Sequence, residues 1–85
     1  MYYAYVIINP KGLLYKGSTD NFLKRLQEHN SGQYTSWTRH KGPWKLYYLE
    51  KFSTRKDALV RERFFKSKTG WQFLKQLNNS SILPE

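Results

Sequence analysis

Tyr5 and Tyr15, Arg25 and His29, and Glu62 are the side chains of this sequence whose types and spacing are suited to chemistry. The tyrosines lie near the ends of two strand-like segments, and Arg25 and His29 stand at i and i+4 on one helix-like segment. Glu62 is a lone acid between Arg61 and Arg63. Arg25 and His29 share their face with Phe22 and Leu26, and a guanidinium held against apolar neighbours is costly unless an anion meets it. Glu62 turns toward Ala58 and Phe65, an odd direction for a purely solvated acid. Each residue also has an ordinary reading: a core tyrosine, a snorkelling arginine, or a surface ion pair worth about 0–1 kcal/mol. With no cysteine, and with neither a nucleophile elbow nor a glycine-rich phosphate loop, thiol chemistry, serine triads and nucleotide-loop enzymes are poor fits.

The elements that must position this set can be read from patterning. Tyr2 to Ile8 is aromatic and β-branched, and Asn9-Pro10-Lys11-Gly12 suits a turn leading to a return strand over Leu13–Gly17. Strand alternation places Tyr3, Tyr5 and Ile7 on one face and predicts that Tyr5 aligns with Tyr15 across the hairpin. Gly17 closes that strand where the backbone bends or something approaches closely. Ser18, Thr19 and Asp20 are N-cap choices for a helix through Phe22, Leu26 and His29 that stops at Asn30-Ser31-Gly32. On this helix Glu28 is expected to turn away from Arg25. Residues 33–42 predict an exposed loop and Trp44–Glu50 a third strand. A second helix starts at Ser53 or Thr54, with Thr54-x-x-Asp57 as a capping box. Thr69-Gly70 interrupts the period before a third helix packed through Trp71, Leu74 and Leu77. The expected class is α+β: a small three-stranded antiparallel sheet flanked by helices, in the order β-β-α-β-α-α, over residues 1–77, with 78–85 as a frayed tail.

Charge narrows the partners. Fifteen Lys and Arg against six Asp and Glu leave a net charge of +9 on 85 residues, which favours a polyanion. No segment approaches the roughly 20 apolar residues of a membrane span, and nothing resembles a signal peptide, so no membrane partner and a cytoplasmic location are expected.

Tyr3-Ala4-Tyr5, Tyr15-Lys16-Gly17-Ser18, Arg25 with Glu28-His29-Asn30, and Arg61-Glu62 together resemble the small stand-alone members of the GIY-YIG nuclease superfamily, and the N-terminal domain of the excision-repair nuclease. Tyr5 to Tyr15 and Tyr15 to Arg25 are ten positions each, and Arg25 to Glu62 is 37, close to the family pattern. The resemblance runs from residue 2 to residue 75. Tyr3 and Ala4 replace the glycine and isoleucine of the first motif, and Lys16 the isoleucine of the second. Ser18 stands where several members carry a lysine, and Leu74 where they carry an asparagine.

The resemblance implies a divalent-metal-dependent DNA endonuclease of low sequence specificity, structure-selective in DNA repair or recombination. Glu62 would hold one Mg²⁺ or Mn²⁺, Arg25 would contact the scissile phosphate, Tyr5 and Tyr15 would orient the attacking water with one of them acting as general base, and His29 would shuttle a proton or bind phosphate. A phenol with a pKa of about 10 is ionised in roughly one molecule per thousand at pH 7, so the base must be helped; the positive field, the metal and Arg25 are expected to lower its pKa. Gly17, Lys16, Arg39, Lys41, Arg61, Lys66 and Lys68 are expected to contact the DNA backbone, with Tyr34, Trp37 and Trp44 as stacking surfaces. A protein partner would supply substrate targeting. The competing readings are a nucleic-acid-binding domain of the same fold with little activity, and a toxin-like nuclease restrained by a partner.

Overall fold

In a computed structural model, residues 1–79 are described. Three strands and three helices follow in chain order: β1 (Tyr2–Ile8), β2 (Leu14–Thr19), α1 (Phe22–Ser31), β3 (Lys45–Phe52), α2 (Arg55–Lys66) and α3 (Lys68–Asn79). The sheet is antiparallel with β1 in the centre, flanked by β2 and β3. The α+β class and the element order are those expected. Residues 80–85, most of the expected tail, lie outside the described residues; Asn78 and Asn79 continue α3.

As the central strand, β1 is covered on both faces, and its alternation divides the core. Ala4 and Val6 pack with Phe65 of α2 and Leu74 of α3. Tyr5 and Ile7 pack with Phe22 of α1 and with Trp44. Helix α1 therefore sits on one face and the pair α2–α3 on the other.

The hairpin register differs from the expected one. Tyr5 lies opposite Gly17, and Tyr15 opposite Ile7. The cause is Asn9, whose buried side-chain oxygen accepts from the Lys11 and Leu13 amides, while its own amide donates to the Leu13 carbonyl at 3.1 Å. Leu13 thus belongs to the turn, and the pairing shifts by two residues. An even shift keeps every side chain on its own face, so Tyr5 and Tyr15 remain diagonal neighbours, with ring centroids 6.5 Å apart.

The caps refine two boundaries. Asn21, one residue past the expected choices, caps α1 by accepting from the Lys24 amide. Thr54 caps α2 through the Asp57 amide as expected. The break between α2 and α3 falls at Ser67 and not at Thr69-Gly70: the Ser67 hydroxyl donates to the Phe64 carbonyl and accepts from the Gly70 amide. Gly70 lies within α3 against the Phe64 carbonyl, where a Cβ would collide. This contact sets the phase of α3, so Leu74, Phe73 and Leu77 pack inward while Trp71, expected in the core, is half exposed. Among the described residues, no helix is long and apolar enough to cross a membrane.

Candidate active site

The five residues gather around the edge strand β2. Odd-numbered positions of β2 face α1, and even-numbered positions face α2. Tyr5, Tyr15, Arg25 and His29 lie on the α1 face, and Glu62 approaches from α2, where the Ser18 hydroxyl donates to its Oε1 at 2.8 Å. Arg25 Nη1 reaches the Ser18 carbonyl at 3.5 Å from the other face. Ser18 therefore joins the two halves of the site.

The α1 half is a hydrogen-bonded chain. The Thr38 hydroxyl donates to the Thr35 carbonyl at 3.2 Å, so toward His29 Nδ1, 3.0 Å away, it can only accept. The ring proton consequently sits on Nδ1, and Nε2 accepts from the Tyr5 hydroxyl at 2.8 Å. His29, Thr38 and Tyr5 are all buried. Burial first, then the nearby Arg25 charge, lowers the His29 pKa to about 4 against a partly opposing Glu28, which keeps the ring neutral at pH 7. Residues 33–42 are an irregular loop as expected, yet Thr38 within it is fully buried because it orients this imidazole.

Tyr5 is 0% exposed, and its phenol lies beneath Gly17. A Cβ at Gly17 would come within 2.5 Å of the Tyr5 hydroxyl and 2.7 Å of its ring, so the close approach expected at this glycine is made by Tyr5. Gly17→Ala is expected to displace Tyr5 and destabilise the fold by about 1–3 kcal/mol, seen as a lower urea midpoint; an unchanged midpoint would contradict the contact. Tyr15 is half-buried, and its hydroxyl makes no hydrogen bond among the described residues. Its ring lies 4.7 Å from His29 and 5.7 Å from Trp37.

Both phenols are harder to ionise than an ordinary tyrosine, because the lowering expected from Arg25 is present but outweighed by burial. Burial dominates each, and Arg25 opposes it only in part; Tyr15 is pushed up further by Tyr34 and Glu62. Arg25 lies 4.0 Å from the Tyr34 ring centroid and donates from Nε to Glu28 at 3.0 Å. Glu28 thus faces Arg25, as residues three apart on a helix can, and not away from it.

On the α2 half, Glu62 is 17% exposed and Lys66, one turn on, donates to its Oε2 at 2.8 Å. Lys16, also on this face, has its pKa lowered by burial and by Lys66. Among the described residues no three His, Cys, Asp or Glu side chains cluster as a metal cage. A single carboxylate does fit a hard cation that keeps most of its waters and takes further oxygens from phosphate.

The remaining basic residues divide. Lys41 lies over the exposed Trp37 ring at 4.1 Å, and Arg39 is exposed on the same loop with Nε donating to the Gly32 carbonyl. Lys68 is exposed at the start of α3. Arg61 is held in a two-pronged pair with Glu50 and stacks over Phe64, an arrangement that anchors α2 to β3. Of the stacking residues, Tyr34 and Trp37 are exposed and Trp44 is core. Ser18, Thr38 and Lys66 are the site's supporting residues. The i,i+4 spacing of Glu62 and Lys66 was a readable signal for that ion pair, whereas Thr38 sits in a segment without periodicity.

This chain belongs to the GIY-YIG catalytic domain family, which matches residues 1–78. It is therefore a member of the GIY-YIG nuclease superfamily. It is similar to a UPF0213 protein of Clostridium perfringens, 38% identical over 85 residues, covering 100% of this chain and 91% of the relative. A UPF0213 protein of Bacillus licheniformis is 45% identical over 65 residues, 76% of this chain and 67% of the relative. Among solved structures, a protein of E. faecalis is 34% identical with a TM-score of 0.56, covering 99% of this chain and 93% of that one. The UPF0213 protein BH0048 of Bacillus halodurans is 27% identical with a TM-score of 0.55, covering 95% and 89%.

Proposed function

We propose that this protein is a divalent-metal-dependent DNA endonuclease of low sequence specificity, with Glu62 as the metal ligand. The observation that supports this most is the meeting of Arg25, Tyr15 and Glu62 around the Ser18 position of an edge strand, within a chain of net charge +9. Family membership supports the same reading.

A phosphodiester resting against β2 meets Arg25, whose planar fork offers paired donors to the oxygens that gain charge during displacement. Tyr15 is the phenol that touches the reactants, because its hydroxyl is uncommitted while that of Tyr5 is buried and bonded to His29. It orients the attacking water as a neutral hydroxyl, since pre-ionising even an ordinary phenol at pH 7 costs roughly 4 kcal/mol and burial raises that cost for Tyr15. Tyr5 and His29 are positioning residues: neutral His29, locked by Thr38, fixes Tyr5, and the two rings support Tyr15. When bound, Mg²⁺ or Mn²⁺ supplies Lewis acidity at phosphate and a lowered pKa for its coordinated water. Lys16, Arg39, Lys41 and Lys68 hold neighbouring phosphates.

One observation favours the rival reading, a binding domain with little activity: both Glu62 oxygens are already engaged, by Ser18 and Lys66. A metal held by Glu62 would compete with the Lys66 ammonium for the carboxylate charge. Lys66→Met is accordingly expected to tighten Mn²⁺ binding about threefold, the scale of an exposed helical ion pair, measured by the loss of free-Mn²⁺ paramagnetic resonance. Weaker binding in the variant would rule out this competition. Plasmid nicking with Mg²⁺ or Mn²⁺, compared with Glu62→Gln and Arg25→Ala, decides between nuclease and binding domain. Nicking by the intact protein that both substitutions abolish supports the nuclease; DNA binding without nicking supports its rival.

A further inference from the structure

A cavity of about 100 Å³ opens beside the site, between Arg25 and Arg55. Its walls include Ser18 and Thr19 at the end of β2, Tyr2 of β1 and the first residue of α2, Arg55. The volume holds about three water molecules, enough for a phosphate group. Two of its hydroxyls are already committed: Ser18 donates to Glu62, and Thr19 donates to the Asn21 carbonyl. Arg55 and the Tyr2 hydroxyl make no hydrogen bond or ion pair among the described residues. The acidic member of the wall, Asp20, is exposed and pairs with neither arginine. Arg25 is already paired with Glu28, so Arg55 is the guanidinium of the wall left without a partner among the described residues.

We propose that this cavity is a subsite for the phosphodiester next to the scissile one on the same strand, with Arg55 as its principal donor. The inference rests on the nuclease reading above, since Arg25 is shared between the cavity and the proposed reaction. The shared wall sets direction: the strand crosses β2 at Ser18 and continues toward the start of α2. Arg25 and Arg55 then clamp successive phosphates, and such charge-assisted two-pronged contacts give geometric register as well as affinity. This register aligns one linkage with Tyr15 and Glu62 without reading any base, which suits a nuclease of low sequence specificity.

The test is a binding cycle in EDTA, where no cleavage intervenes. A thymidine trinucleotide with two charged linkages is compared with the same molecule carrying one neutral methylphosphonate, by NMR titration of the arginine Nε–H signals. The intact protein is expected to bind the doubly charged probe about tenfold tighter, the scale of one hydrogen-bonded charge contact, with the Arg55 signal shifting only for that probe. Arg55→Gln, at an exposed position without partners, should remove this gain and leave the singly charged probe unaffected. Equal loss for both probes, or no loss, overturns the subsite. A 5′-phosphorylated probe with one charged linkage separates a terminal from an internal phosphate: a gain confined to it overturns the internal assignment. A subsite that behaves as expected in a protein that never nicks DNA would fault the nuclease reading alone.

Discussion

Glu62→Gln is expected to lower the metal-dependent nicking rate by at least about a thousandfold, equivalent to about 4 kcal/mol of transition-state stabilisation, while salt-sensitive DNA binding persists. The substitution preserves shape. Ser18 can still donate to the amide oxygen, and only the Lys66 pair is lost, whose ammonium is mostly solvated. An i,i+4 pair of this kind is worth a few tenths of a kcal/mol, so folding should be unchanged by circular dichroism. What disappears is the carboxylate charge proposed to anchor the hard cation. Arg25→Lys is the informative companion. It keeps the charge but forfeits the planar fork and the stacking on Tyr34, so nicking should fall by roughly a hundredfold, the scale of a lost oxyanion donor. Equal nicking by the intact protein and both variants would identify a contaminant and end the catalytic assignment.

The fold was legible because its two faces are written in β1. Tyr5 and Ile7 alternate with Ala4 and Val6, and each pair finds its own helix layer. Register was not legible, because Asn9 acts through its side chain to take Leu13 into the turn, and a two-residue slip leaves the hydrophobic pattern unchanged. Trp71 misled for a related reason: helical phase in α3 is set by the close seat of Gly70 on Phe64, a packing fact that a glycine does not advertise.

The site divided along similar lines. Residue types and spacing were enough to single out the five residues now found around β2, including the inward turn of Glu62. The partners that define their states were hidden. Thr38 lies in an aperiodic loop and fixes the His29 tautomer. Ser18, read from the motif as a missing lysine, is the bridge between Glu62 and Arg25, and the nearest ammonium comes from Lys66 of α2. For the phenols, the lowering by Arg25 was legible from charge, whereas the burial that outweighs it depends on packing.

The buried state of His29 has a consequence measurable without any substrate. Its folded pKa of about 4 lies below the ordinary value of 6.5. The unfolded chain therefore binds a proton between these values that the native protein refuses. Stability tied to this group is fully present above pH 6.5 and is lost as pH falls through 4. The loss should reach about 2 kcal/mol between pH 7 and pH 5 and about 3 kcal/mol by pH 4, read from urea midpoints at each pH. Most of the fall to pH 5 precedes the range of ordinary carboxylates, near 4. His29→Phe provides the control. It keeps an aromatic ring in the core but leaves the Tyr5 hydroxyl without its acceptor, at about 1–3 kcal/mol for a buried unpaired polar group. The variant should be the weaker protein at pH 7 and nearly flat from pH 7 to pH 5, so that the two converge as the acid closes the gap. Parallel slopes in the two proteins would mean that His29 titrates normally and that the Tyr5–His29–Thr38 chain does not hold a neutral imidazole.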